Sequence, residues 1–424
     1  MLRHLLIRLV RPAASQWRRF MVAEVRRDLA KLDSVQSEIL RLVSGTSEHI
    51  GSNASPPAVM DINVLLHQSR SALLRSIPQG AEIFLSVGCA GGWYFDWIER
   101  CYGRPRRHIG IEYYADRPPL LPDNVTWIAN SASDMSELER ESCDLLFSGQ
   151  NIEHLWPDEV VGFLIEAARV LHAGGHLVVD SPNRVLTAAL NWSHPEHTVE
   201  FTLEEISRLV FLAGFDVTRI SGIWLCRDPA SGRILPFNPN AEDPGWSVAE
   251  RLICALDAPA HSFIWWLEAS RTTRSVDASG LRTTMQSIFE TAWPERTRRM
   301  VVGIGQIERR KDDDWVVCPR GQSGAVLSGP SMPLRAGRYR CTFRLDCPGG
   351  PSDAPVARCE VNVSNIDTAV AQQDVVPEIR AVKDVSIEFE LRQVAFGVQF
   401  RCISYGTASF ACRREVALMT VNGR

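Results

Sequence analysis

The 424-residue sequence contains no uninterrupted apolar run of the roughly 18 residues that a bilayer-crossing helix needs, so no membrane-spanning helix is expected. It also lacks a strong charge of either sign. A formal net charge of −4 leaves it without the basic footprint of a nucleic-acid binder. Of its eleven cysteines, Cys89, Cys101, Cys143, Cys226 and Cys254 show no metal-ligand spacing and read as reduced, mostly buried thiols, while the six from Cys318 to Cys412 are even in number and open to bridging, with free thiols the preferred reading. The opening "MLRHLLIRLVRPAASQWRRF" breaks its apolar stretch with Arg3, His4 and Arg8 and has no small-residue cleavage site. No secretory signal is read there, and the expected location is the cytoplasm. The short run "HPEH", His194 to His197, lacks a third ligand at recognisable spacing, so no metal is expected either.

What is present divides the chain into several parts, as its length requires. Over residues 1–45, Val22, Val25, Leu29, Leu32, Ile39 and Val43 recur at alternating spacings of three and four, the pattern of a short heptad helix or coiled coil. Arg8, Arg11, Arg18, Arg19, Arg26 and Arg27 suit that helix to pair with a second copy, giving a homo-oligomer, or to touch the anionic inner face of a membrane. A linker over 46–60 follows. Over 61–275, apolar strands ("AEIFLSV", "RHIGIE", "NVTWIA", "CDLLFS", "GHLVVD") alternate with amphipathic helices, which predicts a parallel sheet covered on both faces. The runs "DVTRISGIWL" and "HSFIWWLEAS" are expected to pair as an antiparallel edge. A helical connector is predicted over 276–310. From 311 to 424 the apolar period changes to two, as in "RYRCTFRL" and "VSIEFEL", which predicts a β-sandwich with its own core, dispensable for ligand binding elsewhere. Arg338, Arg340 and Arg344 share the outward face of that first strand, placed to meet solvent or anionic sugars.

The turn "FLSVGCAGGW", Phe84 to Trp93, joins the first strand to the first long helix, where doubly wound folds bind their ligands. A dinucleotide fingerprint would need glycine at the third and sixth positions counted from Gly88, where this chain has Ala90 and Trp93. No Gly-Lys-Ser/Thr is present to hold a triphosphate. A small-residue turn of Gly88, Ala90, Gly91 and Gly92 remains, and it lets the backbone approach a ligand without cradling phosphate. S-adenosylmethionine fits that description.

The segments "SVGCAGG", "HIGIEYYAD", "CDLLFSGQNIEHLWPDEVVGFLIEAARVLHAGGHLVVDSPN" and "HTVEFTLEEISRLVFLAGFDV", in that order, resemble the class I methyltransferases over Ile83 to Arg271. The resemblance implies an α/β, doubly wound, mostly parallel seven-stranded sheet and S-adenosylmethionine as cofactor. It implies cofactor-binding roles for Ser86, Gly88, Ala90, Gly92, Glu112, Asp134 and Gln150. Glu112 matches the residue whose carboxylate takes both ribose hydroxyls. Ser86 stands where the family usually has an acid, and Ser131-Ala132 aligns with its usual Asp-Ala, with Asp134 close behind. The fragment "GPSMPLRAGRYRCTFRL" is loosely similar to sandwich modules of bacterial proteins that modify surface polysaccharides, which implies a sugar or glycan acceptor. A hydroxyl acceptor needs a base, and the candidates are His154, His194 and His197, with Glu153, Glu196 and Glu200 beside them. Trp93 and Trp192 could stack on an acceptor ring. The alternative is a catalytically weakened protein that binds glycans or serves as a scaffold.

Overall fold

The computed structural model describes residues 60–311, 313–348, 353–364, 369–377 and 382–421. The heptad stripe of 1–45 and the 46–60 linker up to residue 59 lie outside the described residues. Helix α1 (Ile62–Ser76) starts where the Asp61 side chain accepts from the Asn63 amide, 2.8 Å away. After it come β1 (Ile83–Val87), α2 (Gly92–Tyr102), β2 (Arg107–Ile111), β3 (Val125–Ile128) and β4 (Cys143–Gly149). A single 3₁₀ turn, Ile152–His154, leads into α3 (Pro157–Val170), whose first turn is set by Pro157 and by Glu159 accepting the Trp156 amide at 2.8 Å. Then follow β5 (Leu171–Pro182), α4 (Arg184–Ala189), α5 (Leu203–Leu212), β6 (Phe215–Leu225), α6 (Val248–Asp257), β7 (Ser262–Arg271) and α7 (Ala278–Thr297).

These strands form a seven-stranded sheet in the order β3-β2-β1-β4-β5-β7-β6. Parallel pairing joins β3 through β5, while β7 runs antiparallel between β5 and β6. The two late apolar runs do pair antiparallel, although of the two only β6 is an edge strand and β7 lies inside the sheet. Because side chains alternate along a strand, Leu85 and Val87 face α3, α5 and α7 in one apolar cluster, while Phe84, Phe147 and Trp266 face α1, α2 and α6 in another. Burial on both faces accounts for the near-continuous apolar runs. The chain order reverses at β1, which has β2 on one side and β4 on the other, and that opens a crevice at their carboxyl ends.

The connector is helical only over Ala278–Thr297. Strands resume at β8 (Val301–Val302) and β9 (Gln306–Arg310), earlier than the expected boundary at 311, because β9 turns at Lys311 (φ 54°) and pairs directly with β10 (Asp313–Cys318). The remaining strands are β11 (Ser323–Leu334), β12 (Gly337–Asp346), β13 (Ala357–Val363), β14 (Ala371–Val375), β15 (Val382–Leu391), β16 (Ala395–Tyr405), β17 (Phe410–Arg413) and β18 (Ala417–Thr420). They build two sheets, β15-β12-β17-β10-β9 with β18 beside β12, and β14-β13-β16-β11-β8. The inward residues Cys341, Phe343 and Leu345 of β12 and Val398, Phe400 and Cys402 of β16 share one apolar cluster. All eleven cysteines are free. The outward arginines are not a bare basic stripe. Arg340 pairs with Glu388, and Arg344 lies 3.7 Å from Asp384, both acids carried by the neighbouring β15.

Helix α7 joins the two halves. Leu281, Met285, Ile288 and Ala292 belong to the core under the first sheet, while Trp293 packs against the C-terminal core. Further along the junction, Arg335 reaches Asp158 at 2.6 Å, and the Gly397 amide donates to the Pro195 carbonyl at 3.1 Å. The C-terminal sheets are therefore seated against the loops that carry the first sheet's candidate site.

Candidate functional site

The turn after β1 is held by two backbone constraints. Gly88 has φ 72°, and a Cβ there would stand 2.5 Å from Asn151 Oδ1, so both conformation and space call for glycine. Ala90, at φ 42°, donates its amide to Glu112 Oε2 at 3.0 Å. The other oxygen of Glu112 accepts from the amides of Tyr114 (2.8 Å) and Ala115 (3.1 Å). One carboxylate at the end of β2 thus fixes the loops on both sides of the crevice.

Between them lies a cavity of about 300 Å³, lined by Gly88, Ala90, Glu112, Asn130, Ser131, Gln150, Asn151 and His154, and at its mouth by Tyr113, Tyr114, Glu159, Glu196 and Phe396. Gln150 is braced from below, its Nε2 donating to Asp180 Oδ2 at 3.1 Å. The buried Asp180 is in turn clamped by Arg70 of α1, whose Nε lies 2.6 Å away. Helix α1 therefore supports the cavity floor.

Of the residues expected to hold the cofactor, Gly88, Ala90, Glu112 and Gln150 line this cavity, and Ser86, Gly92 and Asp134 do not. Ser86 falls on the opposite pleat from Val87, fully buried, and its hydroxyl is 2.9 Å from His108 Nε2. Burial pushes the His108 imidazole down to about 3. Gly92 begins α2 and packs near Pro118. Asp134 is exposed and accepts from the Ser136 amide at 3.1 Å, leaving Asn130, Ser131 and Ala132 to line the cavity from the loop after β3.

Among the three histidines only His154 lines the cavity. His197 sits behind it, ring centroids 4.8 Å apart, with His194 4.4 Å beyond. Burial, with the neighbouring histidines, drives His154 down to about 3, and burial drives His197 down to about 4. Both imidazoles are neutral at physiological pH. His197 Nδ1 is 3.0 Å from Glu200 Oε1. Burial opposes the charge on Glu200, but the His197 hydrogen bond and the Arg299 guanidinium, 3.0 Å away, hold its carboxyl below the usual range. Glu153 is the reverse case, pushed by burial up to about 8, so it is a carboxylic acid rather than a base at neutrality. Trp192 stacks on His194, and the exposed Trp93 packs beside Tyr94 and Trp97.

The sequence gives no role to Asn130, Asn151, Tyr113, Tyr114, Glu159 or Phe396. Tyr113 and Tyr114 directly follow Glu112, and that adjacency was the available signal. Phe396 has none, since it arrives from a strand of the C-terminal half.

Residues 85–179 match a family described as a methyltransferase domain. Over these residues the chain is similar to a methyltransferase domain. Among similar curated proteins, a probable S-adenosylmethionine-dependent methyltransferase of Mycolicibacterium smegmatis is 30% identical over 144 residues, covering 33% of this chain and 54% of that protein. One from Mycobacterium tuberculosis is 29% identical over 148 residues, covering 34% and 52%. The chain spans about half the length of these curated relatives. Among solved structures, an S-adenosylmethionine-dependent methyltransferase from Archaeoglobus fulgidus shows 19% identity and a TM-score of 0.35, covering 48% of this chain and 94% of that one. A Burkholderia thailandensis N1-methyltransferase with bound S-adenosylhomocysteine shows 15% identity and a TM-score of 0.32, covering 49% and 78%. S-adenosylmethionine, the cofactor expected from the turn after β1, is the one named for the two curated relatives.

Proposed function

We propose that the methyltransferase domain binds S-adenosylmethionine in the cavity at the switch point and transfers its methyl group to a hydroxyl of a sugar or surface-glycan acceptor. The observation that carries the cofactor assignment is Glu112, whose carboxylate faces the cavity at the end of β2 beside the turn of Gly88 and Ala90. Three of its roughly four acceptor sites take backbone amides, and the one left on Oε2 suits a ribose hydroxyl. Gly88 and Ala90 let the chain approach the nucleoside closely.

In the transfer, an acceptor oxygen donates a lone pair to the methyl carbon as the carbon–sulfur bond breaks, the bonding pair returning to sulfur. The hydroxyl proton must leave, and His154, neutral and facing the cavity, is the imidazole placed to accept its hydrogen bond. Positioning of donor and acceptor supplies most of the acceleration. Support for a polyhydroxylated acceptor comes from the mouth, where the rings of Tyr114 and Phe396 lie 6.3 Å apart and the carboxylates of Glu159 and Glu196 flank them. Aromatic faces suit the C–H face of a sugar ring, and carboxylates accept from its hydroxyls.

Calorimetric titration of the full chain with S-adenosylmethionine tests the cofactor, with micromolar binding expected. Labelled S-adenosylmethionine offered with glycans from cells lacking this protein tests the acceptor. Label that stays out of every sugar hydroxyl while the cofactor binds rejects the acceptor class.

A further inference from the structure

Behind the cavity wall, one ligand atom each from Glu153, His154 and His197 lies within 4.8 Å of the others. Backbone bonds hold the three in place. The His154 amide donates to the Asn151 carbonyl at 3.0 Å, and the Thr198 amide donates to the Glu153 carbonyl at 2.7 Å, joining the loop of His197 to the 3₁₀ turn. Sequence spacing pointed away from a metal because "HPEH" has no third ligand nearby. Folding brings in Glu153 and His154 from the loop after β4.

Two independent observations indicate a cation. The Glu153 side chain is completely buried, and among the described residues neither of its carboxylate oxygens has a hydrogen-bond partner. Buried oxygens without hydrogen-bond partners are costly whether or not the carboxyl holds its proton, and a cation that takes the proton's place satisfies them. Secondly, the hydrogen bond between His197 Nδ1 and Glu200 leaves Nε2 as the free nitrogen, the carboxylate–histidine arrangement that orients an imidazole toward a metal. Glu200 is itself fixed by Arg299 and the Thr187 hydroxyl. The nearby guanidinium of Arg296 is engaged with the carbonyls of His194 and His197.

We propose that Glu153, His154 and His197 bind a divalent cation of the manganese or zinc class. One carboxylate and two imidazoles are a donor set of mixed oxygen and nitrogen that suits such ions, and three protein ligands leave coordination positions open. His154 borders the cavity, so the open side faces where an acceptor would sit. Resting on the methyl transfer proposed above, the cation would hold the acceptor hydroxyl, and with the His154 nitrogen bound to it the hydroxyl proton would pass to water instead of to His154. Cation binding itself does not depend on that chemistry.

The test uses the full chain, stripped with a chelator and titrated separately with Mn²⁺, Zn²⁺ and S-adenosylmethionine. One equivalent of Mn²⁺ or Zn²⁺ should bind. Glu153→Gln and His154→Ala should abolish that binding, and Glu200→Gln should weaken it about 10- to 100-fold by releasing His197. His154 is partly exposed, so its variant keeps the test open if Glu153→Gln fails to fold. A parent chain that binds neither ion, or a folded His154→Ala that binds as the parent does, overturns the site. Cofactor binding without cation binding rejects this inference alone. Cation binding without cofactor binding supports the site and rejects the methyl-transfer role.

Discussion

The Ala90 amide donates to Glu112 Oε2 across 3.0 Å, so the residue that would receive the ribose also shapes the turn that would admit it. Glu112→Ala removes the ribose acceptor and leaves the amides of Ala90, Tyr114 and Ala115 without theirs. A hydrogen bond to a charged group contributes about 1.5–3 kcal/mol, which corresponds to an affinity loss of about ten- to a hundredfold for S-adenosylmethionine. Glu112→Gln keeps one oxygen acceptor and should lose less. Calorimetry decides between them, and a folded Glu112→Ala that binds like the parent places the cofactor elsewhere.

Gly88→Ala should impair the same site by a different route. Its Cβ meets Asn151 Oδ1 at 2.5 Å, and φ 72° is unfavourable for alanine. Strain of this kind costs about 1–3 kcal/mol. A lowered melting temperature and weakened cofactor binding are expected. Adding Asn151→Ala should restore part of both, because it removes the crowding atom while the backbone strain remains.

Phe396 ties the C-terminal sheets to the cavity, and the Ser193 hydroxyl donates to the Ser331 carbonyl at 3.1 Å close by. A chain ending at Arg310 would strip β10 from β9 and β11 from β8, and would unroof the mouth. It should melt lower than the intact protein and lose acceptor methylation. Phe396→Ala, with the sheets left in place, should raise the acceptor KM more than the S-adenosylmethionine Kd, since the ring lies against Tyr114 on the acceptor side proposed above. Equal losses in both constants would show that Phe396 only supports the fold.

Local pattern explains what the sequence could reveal. The strand and helix alternation, the turn at Gly88 and the acid at the end of β2 are each short-range features, legible from periodicity and motif order. Ser86 was misplaced because alignment to a motif fixes a position along the strand, whereas the pleat decides its face. Asp134 was misplaced because its loop turns outward after Ala132. The packing of Phe396 over His154's cavity, and of Glu153 beside His197, depends on tertiary approach between distant segments. No local spacing encodes either.

The last prediction concerns His108, whose Nε2 lies 2.9 Å from the Ser86 hydroxyl beneath the turn after β1. Burial lowers this imidazole from 6.5 to about 3, so the folded protein holds it neutral while the unfolded chain protonates it below pH 6.5. Its contribution to stability is therefore fully present above pH 6.5 and is lost as pH falls from there toward about 3. Within that window one extra proton on the unfolded state gives a slope of about 1.4 kcal/mol per pH unit. His108→Gln cannot take up that proton, and its amide can still meet Ser86. Denaturant unfolding of parent and variant at pH 7, 6 and 5 should show the variant's acid limb shallower by about one proton. Parallel limbs would mean that His108 titrates alike in both states, and that Ser86 and His108 are not the sealed pair beneath the cofactor turn.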